Sequence, residues 1–186
     1  MLDEAFIEFV EKGVEKSAVM FKSPSVFIVR ALTKFFALPG VRLGWGISFN
    51  QSIIDIIGAL REPWSINCFA ELAGITVTKD DDYIEKSASW IKTQRTFLIQ
   101  ELKCLKGLTV FETEANFILL KLPAPLIAKI ARNRLLKEGG ILRDASNFVG
   151  LNDQFVRVAI KDEQSNRILL GALKMLLESE LTEKKS

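Results

Sequence analysis

Apolar and polar positions follow two different periods along the first half of the chain. The apolar run SVFIVRAL, from Ser25 to Leu32, is typical of a buried strand in a parallel sheet, and VRLGWGIS at residues 41–48 predicts the next strand. Helical spacing from Gln51 to Leu60 predicts a helix that ends before Pro63, and another helix is expected to begin at Asn67.

The second half of the chain begins with a long helical pattern. The amphipathic stretch from Asp81 to Leu105 predicts one helix, and the pattern after it predicts the order β-β-α-β-β-α. The predicted strands lie near residues 108–111, 117–122, 140–143 and 155–160, and the predicted helices near 125–137 and 162–178. The apolar residues of the last helix that are expected to pack in the core are Ile168, Leu169, Ala172, Leu173, Leu176 and Leu177. Residues 180–186 are a charged segment that is expected to fray.

Composition narrows the kind of partner. The 186 residues are 48% hydrophobic and 26% charged, which is ordinary for a globular protein with a core. Because 25 basic and 23 acidic residues are interleaved, the net charge of +2 favours a small molecule over nucleic acid or a membrane as partner. No apolar run spans a bilayer, and Asp3 and Glu4 do not fit a basic signal peptide, so a cytoplasmic location is expected. The aromatic residues expected in the core are Phe35, Phe36, Trp45 and Trp64.

Histidine is absent from the sequence, which excludes histidine triads, histidine metal sites and imidazole general bases. Cys68 and Cys104 each lack a second cysteine at CxxC spacing, so no metal site is expected. Any proton transfer would have to be carried out by a lysine, a carboxylate, the single tyrosine or a cofactor.

Lys34 lies just past the carboxyl end of the strand predicted at residues 25–32. Ligands of open α/β sheets bind at that edge, because the loops there are free to carry reactive groups while the strands hold them in place. A lysine whose pKa is lowered can form a Schiff base with an aldehyde. Taken alone, Lys34 is better explained as a solvent-facing side chain at a strand end, which is the commonest position of a single lysine.

Six blocks of sequence, in order along the chain, carry a family resemblance. They are DEAFIEF (3–9), VRALTKFFALPGVRLGWGIS (29–48), EPWSIN (62–67), EANFILL (114–120), GGILRDASNFVGLN (139–152) and FVRVAIKDEQSNRILLGAL (155–173). Together they resemble the fold type I pyridoxal-phosphate (PLP) aminotransferases, in the branch of threonine-phosphate decarboxylase and histidinol-phosphate aminotransferase. The resemblance implies an α/β, aspartate aminotransferase-like PLP-dependent transferase fold and pyridoxal 5'-phosphate as cofactor.

The resemblance also implies roles for four residues near the start of the chain. Lys34 matches the lysine that forms the Schiff base with the cofactor, and Asp3 matches the aspartate that keeps the pyridine nitrogen protonated. Thr33 and Arg42 match positions that bind the cofactor phosphate. Two positions depart from the family pattern. Ala31 stands where a phosphate-binding serine is usual, and Phe6 stands where many aminotransferases have a tyrosine, a change that favours the decarboxylase-like members.

Two arginines match substrate-binding positions. Arg157 matches the arginine that binds the substrate α-carboxylate, and Arg143 matches one that phosphate-bearing substrates use. Asp144, next to Arg143, offers an alternative as its structural partner.

Family members have about half of their length before the position of Asp3, so the resemblance implies a carboxyl-terminal half. Residues 1–80 are then an incomplete large, PLP-binding domain with a partial parallel-type sheet, and residues 81–186 a bridging helix and an α+β small domain. The favoured activity is threonine-phosphate decarboxylation in cobalamin biosynthesis. A histidinol-phosphate-type aminotransferase is one alternative, and an inert fragment that needs a partner chain is another. A homodimer, or pairing with a missing amino-terminal half, is the expected assembly.

Overall fold

The computed structural model describes residues 1–183 and divides the chain into two compact units, Met1–Ser89 and Trp90–Ser186. Each unit contains one β-sheet. The domain boundary predicted at residue 80 stays a prediction. Within residues 1–183, no helix is both long and apolar enough to cross a membrane.

The sheet of the first unit has three strands in the order β1 (Leu2–Asp3), β2 (Phe27–Ala31) and β3 (Gly44–Ser48). β1 is parallel to β2, but β3 is antiparallel to it. The sheet is therefore mixed: β1 and β2 pair in parallel, as expected for a parallel-type sheet, whereas β3 is an antiparallel neighbour of β2. The reason is the connection: residues 32–43 form turns rather than the crossover helix that parallel neighbours need, and Leu32 N donates to Leu43 O at 3.2 Å.

Three α-helices belong to this unit: α1 (Gly13–Lys16), α2 (Gln51–Leu60) and α3 (Cys68–Val77). Asparagine side chains cap the two longer helices. Asn50 accepts a hydrogen bond from Ile53 N at 3.4 Å, and Asn67 accepts one from Ala70 N at 2.9 Å. Both helices begin where the sequence predicts, because their start signals are local.

The core of the first unit is small and lies around β2 and the turn after it. Ile28, Leu32 and Phe35 are buried there, as expected for Phe35. Phe36 and Trp45 are half-buried, and the expectation for Trp64 is wrong, since that side chain is 96% exposed. Trp64 lies in the connection between α2 and α3, two helices with almost no buried side chains of their own against which it could pack.

The second unit begins within the long helix α4 (Asp81–Lys103) and contains an antiparallel sheet. Its strands β4 (Thr109–Val110), β5 (Phe117–Lys121), β6 (Arg143–Asp144) and β7 (Phe155–Ala159) are arranged in the order β4-β5-β7-β6. Helices α5 (Ala128–Lys137) and α6 (Glu163–Glu183) complete the predicted β-β-α-β-β-α order.

Alternation places the buried residues of this sheet on one face. Ile118 and Leu120 of β5 and Val156 and Val158 of β7 are fully buried. Helix α6 adds the five buried residues Leu169, Ala172, Leu173, Leu176 and Leu177. The expectation for Ile168 is wrong, because one step around the helix leaves it 46% exposed. The helix continues to Glu183, so residues 180–183 are helical rather than a separate tail, and residues 184–186 lie outside the described part.

Replacement of Leu173 by alanine tests this packing. Leu173 is 0% exposed, so we expect Leu173→Ala to lower the free energy of unfolding of the second unit by about 2–5 kcal/mol. Ile168→Ala on the same helix is the matched control, and its effect should be several times smaller. Urea unfolding of both variants measures the difference, and equal losses would contradict the assignment of the buried face.

Candidate active site

Asp3 lies at the carboxyl end of β1, where it pairs in register with Val29 of β2. Its side chain is exposed, and Oδ1 accepts a hydrogen bond from Ala5 N at 2.9 Å. The carboxylate is thus hydrogen-bonded within its own segment. It lies at the carboxyl end of the strand, which is the edge of the sheet where α/β proteins bind ligands.

Lys34 lies in the turn that follows β2, and its side chain is also exposed. Its Nζ stands 5.7 Å from the centroid of the Phe6 ring. Because Phe6 belongs to the same short segment as Asp3, the structure brings the lysine turn against that segment. The two positions come from neighbouring parallel strands, β1 and β2.

An aromatic cluster holds the lysine turn in place. The buried ring of Phe35 lies 5.2 Å from that of Phe9, 5.2 Å from that of Phe36 and 6.2 Å from that of Tyr83, each in an edge-to-face arrangement. Tyr83 Oη also donates to the Phe35 carbonyl oxygen at 3.1 Å. Sequence reasoning missed Tyr83, although its being the chain's single tyrosine was a signal.

The two predicted phosphate-binding residues flank this turn. Thr33 is half-buried beside Lys34, and Arg42 is exposed. Arg42 has a φ of 58°, in the left-handed region, and its Nη1 donates to the Pro39 carbonyl oxygen at 3.2 Å. A guanidinium has five N–H donors, so this contact leaves capacity for an anion.

Glu4, the residue after Asp3, is the centre of a polar cluster that sequence reasoning also missed. Its carboxylate accepts hydrogen bonds from Ser17 Oγ at 2.8 Å, from Ala18 N at 2.7 Å and from Arg30 Nη2 at 3.0 Å. Burial raises the pKa of the Glu4 carboxyl, but these hydrogen bonds outweigh it and hold the pKa below the ordinary value. The signal in the sequence was Arg30, a charged residue inside an otherwise apolar strand.

Glu8 lies near this cluster, but its carboxyl group is not held by hydrogen bonds in the same way. Its Oε2 atom is buried without a hydrogen-bond partner. Burial raises the pKa of the Glu8 carboxyl above its ordinary value, and the negative charge of Glu4 acts in the same direction.

The second unit places the two predicted substrate-binding arginines side by side. Arg143 of β6 and Arg157 of β7 are directly opposite each other in the antiparallel ladder. Each guanidinium stacks on a phenylalanine ring, Arg143 on Phe148 at 5.1 Å and Arg157 on Phe117 at 4.6 Å. Burial lowers the pKa of Arg157, and the adjacent charge of Arg143 lowers it further. Such a pair of like charges is relieved by a bound anion.

The Asp144 carboxylate is hydrogen-bonded within the loop that follows β6. It accepts a hydrogen bond from Ser146 N at 2.9 Å, and hydrogen bonds from the Ser146 side chain and backbone hold the pKa of its carboxyl below the ordinary value. Arg132, Arg143 and Asp144 line a cavity of about 360 Å³ at this edge of the sheet. Arg143 therefore borders an open, basic recess.

Comparison with protein families identifies the family of the chain. The family described as aminotransferase class I and II matches residues 1–173. The chain belongs to this family. Proteins similar to this chain include one named for each of the two activities that the sequence suggested, decarboxylation and transamination.

A Caldanaerobacter subterraneus subsp. tengcongensis protein, provisionally named threonine-phosphate decarboxylase, is 42% identical over 180 residues, which are 96% of this chain and 48% of that protein. The histidinol-phosphate aminotransferase from Clostridium acetobutylicum is 45% identical in sequence to this chain. Its crystal structure superimposes with a TM-score of 0.90, over 95% of this chain and 53% of that one.

A second similar structure was solved with a bound cofactor. The histidinol-phosphate aminotransferase from Sinorhizobium meliloti, solved in complex with pyridoxal-5'-phosphate, superimposes with a TM-score of 0.75 over 96% of this chain and 48% of that one. At 22% identity this similarity shows the fold alone. The α/β aminotransferase fold expected from the sequence is confirmed. The chain spans about half the length of the relatives it matches in this aminotransferase family.

Replacement of Glu8 by glutamine should show a pH-dependent gain in stability. A carboxyl whose pKa is higher in the folded chain favours folding most below its unfolded pKa, near 4.5, and this contribution is lost as pH rises through the raised value. Glu8→Gln removes that loss. We expect its thermal midpoint to exceed that of the unmodified protein more at about pH 8 than at about pH 4. The exposed Glu15→Gln is the control, and a difference that is independent of pH would contradict the burial of Glu8.

Proposed function

We propose that the chain is part of a PLP-dependent enzyme that acts on a phosphorylated amino acid. The observation that carries this proposal is the placement of Lys34 beside the Asp3 segment, on turns that follow two paired parallel strands. Membership of the aminotransferase family supports it.

The residues of the first unit fit the cofactor chemically. Lys34 supplies an exposed amine, Asp3 an exposed carboxylate, and Thr33 and Arg42 a hydroxyl and a guanidinium. In the proposed site the Asp3 carboxylate holds a proton on the pyridine nitrogen, and Thr33 and Arg42 bind the phosphate. When bound, the protonated ring supplies an electron sink. Lys34 would hold the cofactor through its amine, and the same amine, when free, would move protons.

Arg143 and Arg157 support a substrate with more than one negative charge. Two adjacent guanidinium groups, one of them half-buried, repel each other until anions bind between their donors. In the proposal Arg157 binds the α-carboxylate and Arg143 the phosphate of the substrate, each through forked hydrogen bonds. A phosphorylated amino acid carries both groups.

Threonine-phosphate decarboxylation in cobalamin biosynthesis is the activity we favour. Phe6, which lies under Lys34 Nζ where many aminotransferases have a tyrosine, supports the decarboxylase branch. The provisional name of the relative from Caldanaerobacter points the same way. Transamination of a histidinol-phosphate-type substrate is the alternative, supported by the relative from Clostridium acetobutylicum.

The first unit also supports a need for further polypeptide. None of the ten residues of α2 is buried, and only Ala70 is buried in α3. Exposed apolar residues on these helices and the loop between them are Ile54, Ile56, Ile57, Leu60, Trp64, Ile66, Phe69, Leu72 and Ile75. Exposed apolar surface of this extent favours association. We propose that the other half of the family fold covers it, within a homodimer as the expected assembly, and that the chain alone is inactive.

Lys34→Ala tests the cofactor site. We expect the chain, mixed with the separately produced amino-terminal half of the Clostridium acetobutylicum relative, to develop a visible absorbance band on addition of pyridoxal 5'-phosphate. The band should be absent in Lys34→Ala and retained in Lys79→Ala, an exposed lysine of the same unit. A band of equal strength in all three proteins would disprove the assignment of Lys34. A full band from the chain without the added half would refute the proposed need for it.

Arg143→Ala tests the substrate class. In the chain supplied with the amino-terminal half, loss of a charge-assisted hydrogen bond to phosphate should raise the KM for threonine phosphate by about 10- to 100-fold and leave that for threonine nearly unchanged. Arg167→Ala, which removes an exposed ion pair with Glu163 and a contact with the Phe97 ring, is the control. Carbon dioxide release identifies decarboxylation, and keto-acid formation identifies transamination. An equal effect on both substrates would exclude a phosphate-binding role for Arg143.

A further inference from the structure

Glu4, Ser17 and Arg30, here called the Glu4 cluster, form a closed set of part-buried hydrogen bonds. Arg30 binds Glu4 Oε2 through both Nε at 3.2 Å and Nη2 at 3.0 Å, and its Nη2 also lies 2.8 Å from Ser17 Oγ. The side chains of Arg30 and Glu4 are only 18% and 10% exposed. A buried charge pair with this many partners has one preferred arrangement, unlike an exposed pair.

The cluster lies where the backbone pairing is weakest. Strand β1 has only two residues, and its register with β2 consists of the pairs Leu2↔Ile28 and Asp3↔Val29. One further backbone hydrogen bond joins Glu4 N to Val29 O at 2.8 Å. So short a ladder is marginal by itself. The Glu4 carboxylate connects it to β2 through Arg30 and to the loop at Ser17.

The Asp3 side chain makes its hydrogen bond inside its own segment, to Ala5 N. Its position relative to Lys34 therefore depends on how β1 is held against β2. Glu4 is the next residue after Asp3, and Arg30 lies on the strand that leads directly into the turn of Lys34. Because side chains alternate along extended backbone, Glu4 acts from the side opposite to Asp3, away from a ligand.

We propose that Glu4, Arg30 and Ser17 are positioning residues that set the place of Asp3 relative to Lys34. The effect on chemistry rests on the proposed function, whereas the effect on the position of Asp3 does not. Loss of the cluster lets β1 separate from β2, so that the carboxylate no longer keeps one distance from the nitrogen it serves. A group that must be held closely to act is sensitive to such a change.

Hydrogen exchange on the free chain tests the positional part. Glu4→Gln keeps the shape of the side chain but removes its charge, and Arg30→Lys keeps the charge but removes the fork. We expect the Glu4 amide to exchange at least about tenfold faster in both variants, with the amides that join β2 to β3 unchanged. Asp82→Asn, in an exposed ion pair with Lys86 of the same unit, is the control. An unchanged Glu4 amide, or equal acceleration throughout the unit, would overturn the proposal.

A spectroscopic titration tests the chemical part on the chain supplied with its amino-terminal half. The pH midpoint of the Lys34-dependent absorbance band should shift in Glu4→Gln, shift less in Arg30→Lys, and stay constant in Asp82→Asn. A lower thermal midpoint with an unchanged pH midpoint would show that the cluster acts on stability only. If the unmodified protein forms no such band, the proposed function fails, and hydrogen exchange still decides whether the cluster positions Asp3.

Discussion

The part-buried ion pair between Glu4 and Arg30 is the interaction on which the first unit depends. It joins two segments that are far apart in the sequence and makes β2 the neighbour of β1 despite a ladder of only two residues. A single removed partner would leave the other charge buried and uncompensated, which costs more than the pair contributes when intact. The pair therefore fixes the geometry of the two segments more than it adds to the free energy of folding.

The lysine turn is held by a different kind of force. Phe35 is buried among aromatic rings, and Tyr83 fixes the backbone at the same residue through its hydroxyl group. Lys34, immediately before Phe35, is left exposed, so the turn has a rigid apolar base and a reactive side facing solvent. This combination of an anchored backbone and an accessible amine suits a residue that must first bind a cofactor and then release it.

The second unit differs from the first in that it holds two like charges next to each other. Arg143 and Arg157 are paired across two strands where like charges cost free energy, and aromatic rings beneath them compensate only in part. Perturbed charged groups of this kind cluster at functional sites, and they also occur in structural networks. In the first unit, α2 and α3 leave most of their apolar side chains exposed.

Local signals in the sequence determined the elements. Asparagine caps and Pro63 set the ends of α2 and the start of α3, and period-two alternation located β5 and β7, because these features depend on residues close together along the chain. The six blocks determined the family and named the candidate residues. Only the tertiary structure decided that β3 runs antiparallel to β2, that Arg143 lies opposite Arg157, and that Trp64 is exposed. The Glu4 cluster and Tyr83 also belong to the tertiary structure, since hydrogen bonds between residues 26 or 48 positions apart leave no period in the sequence.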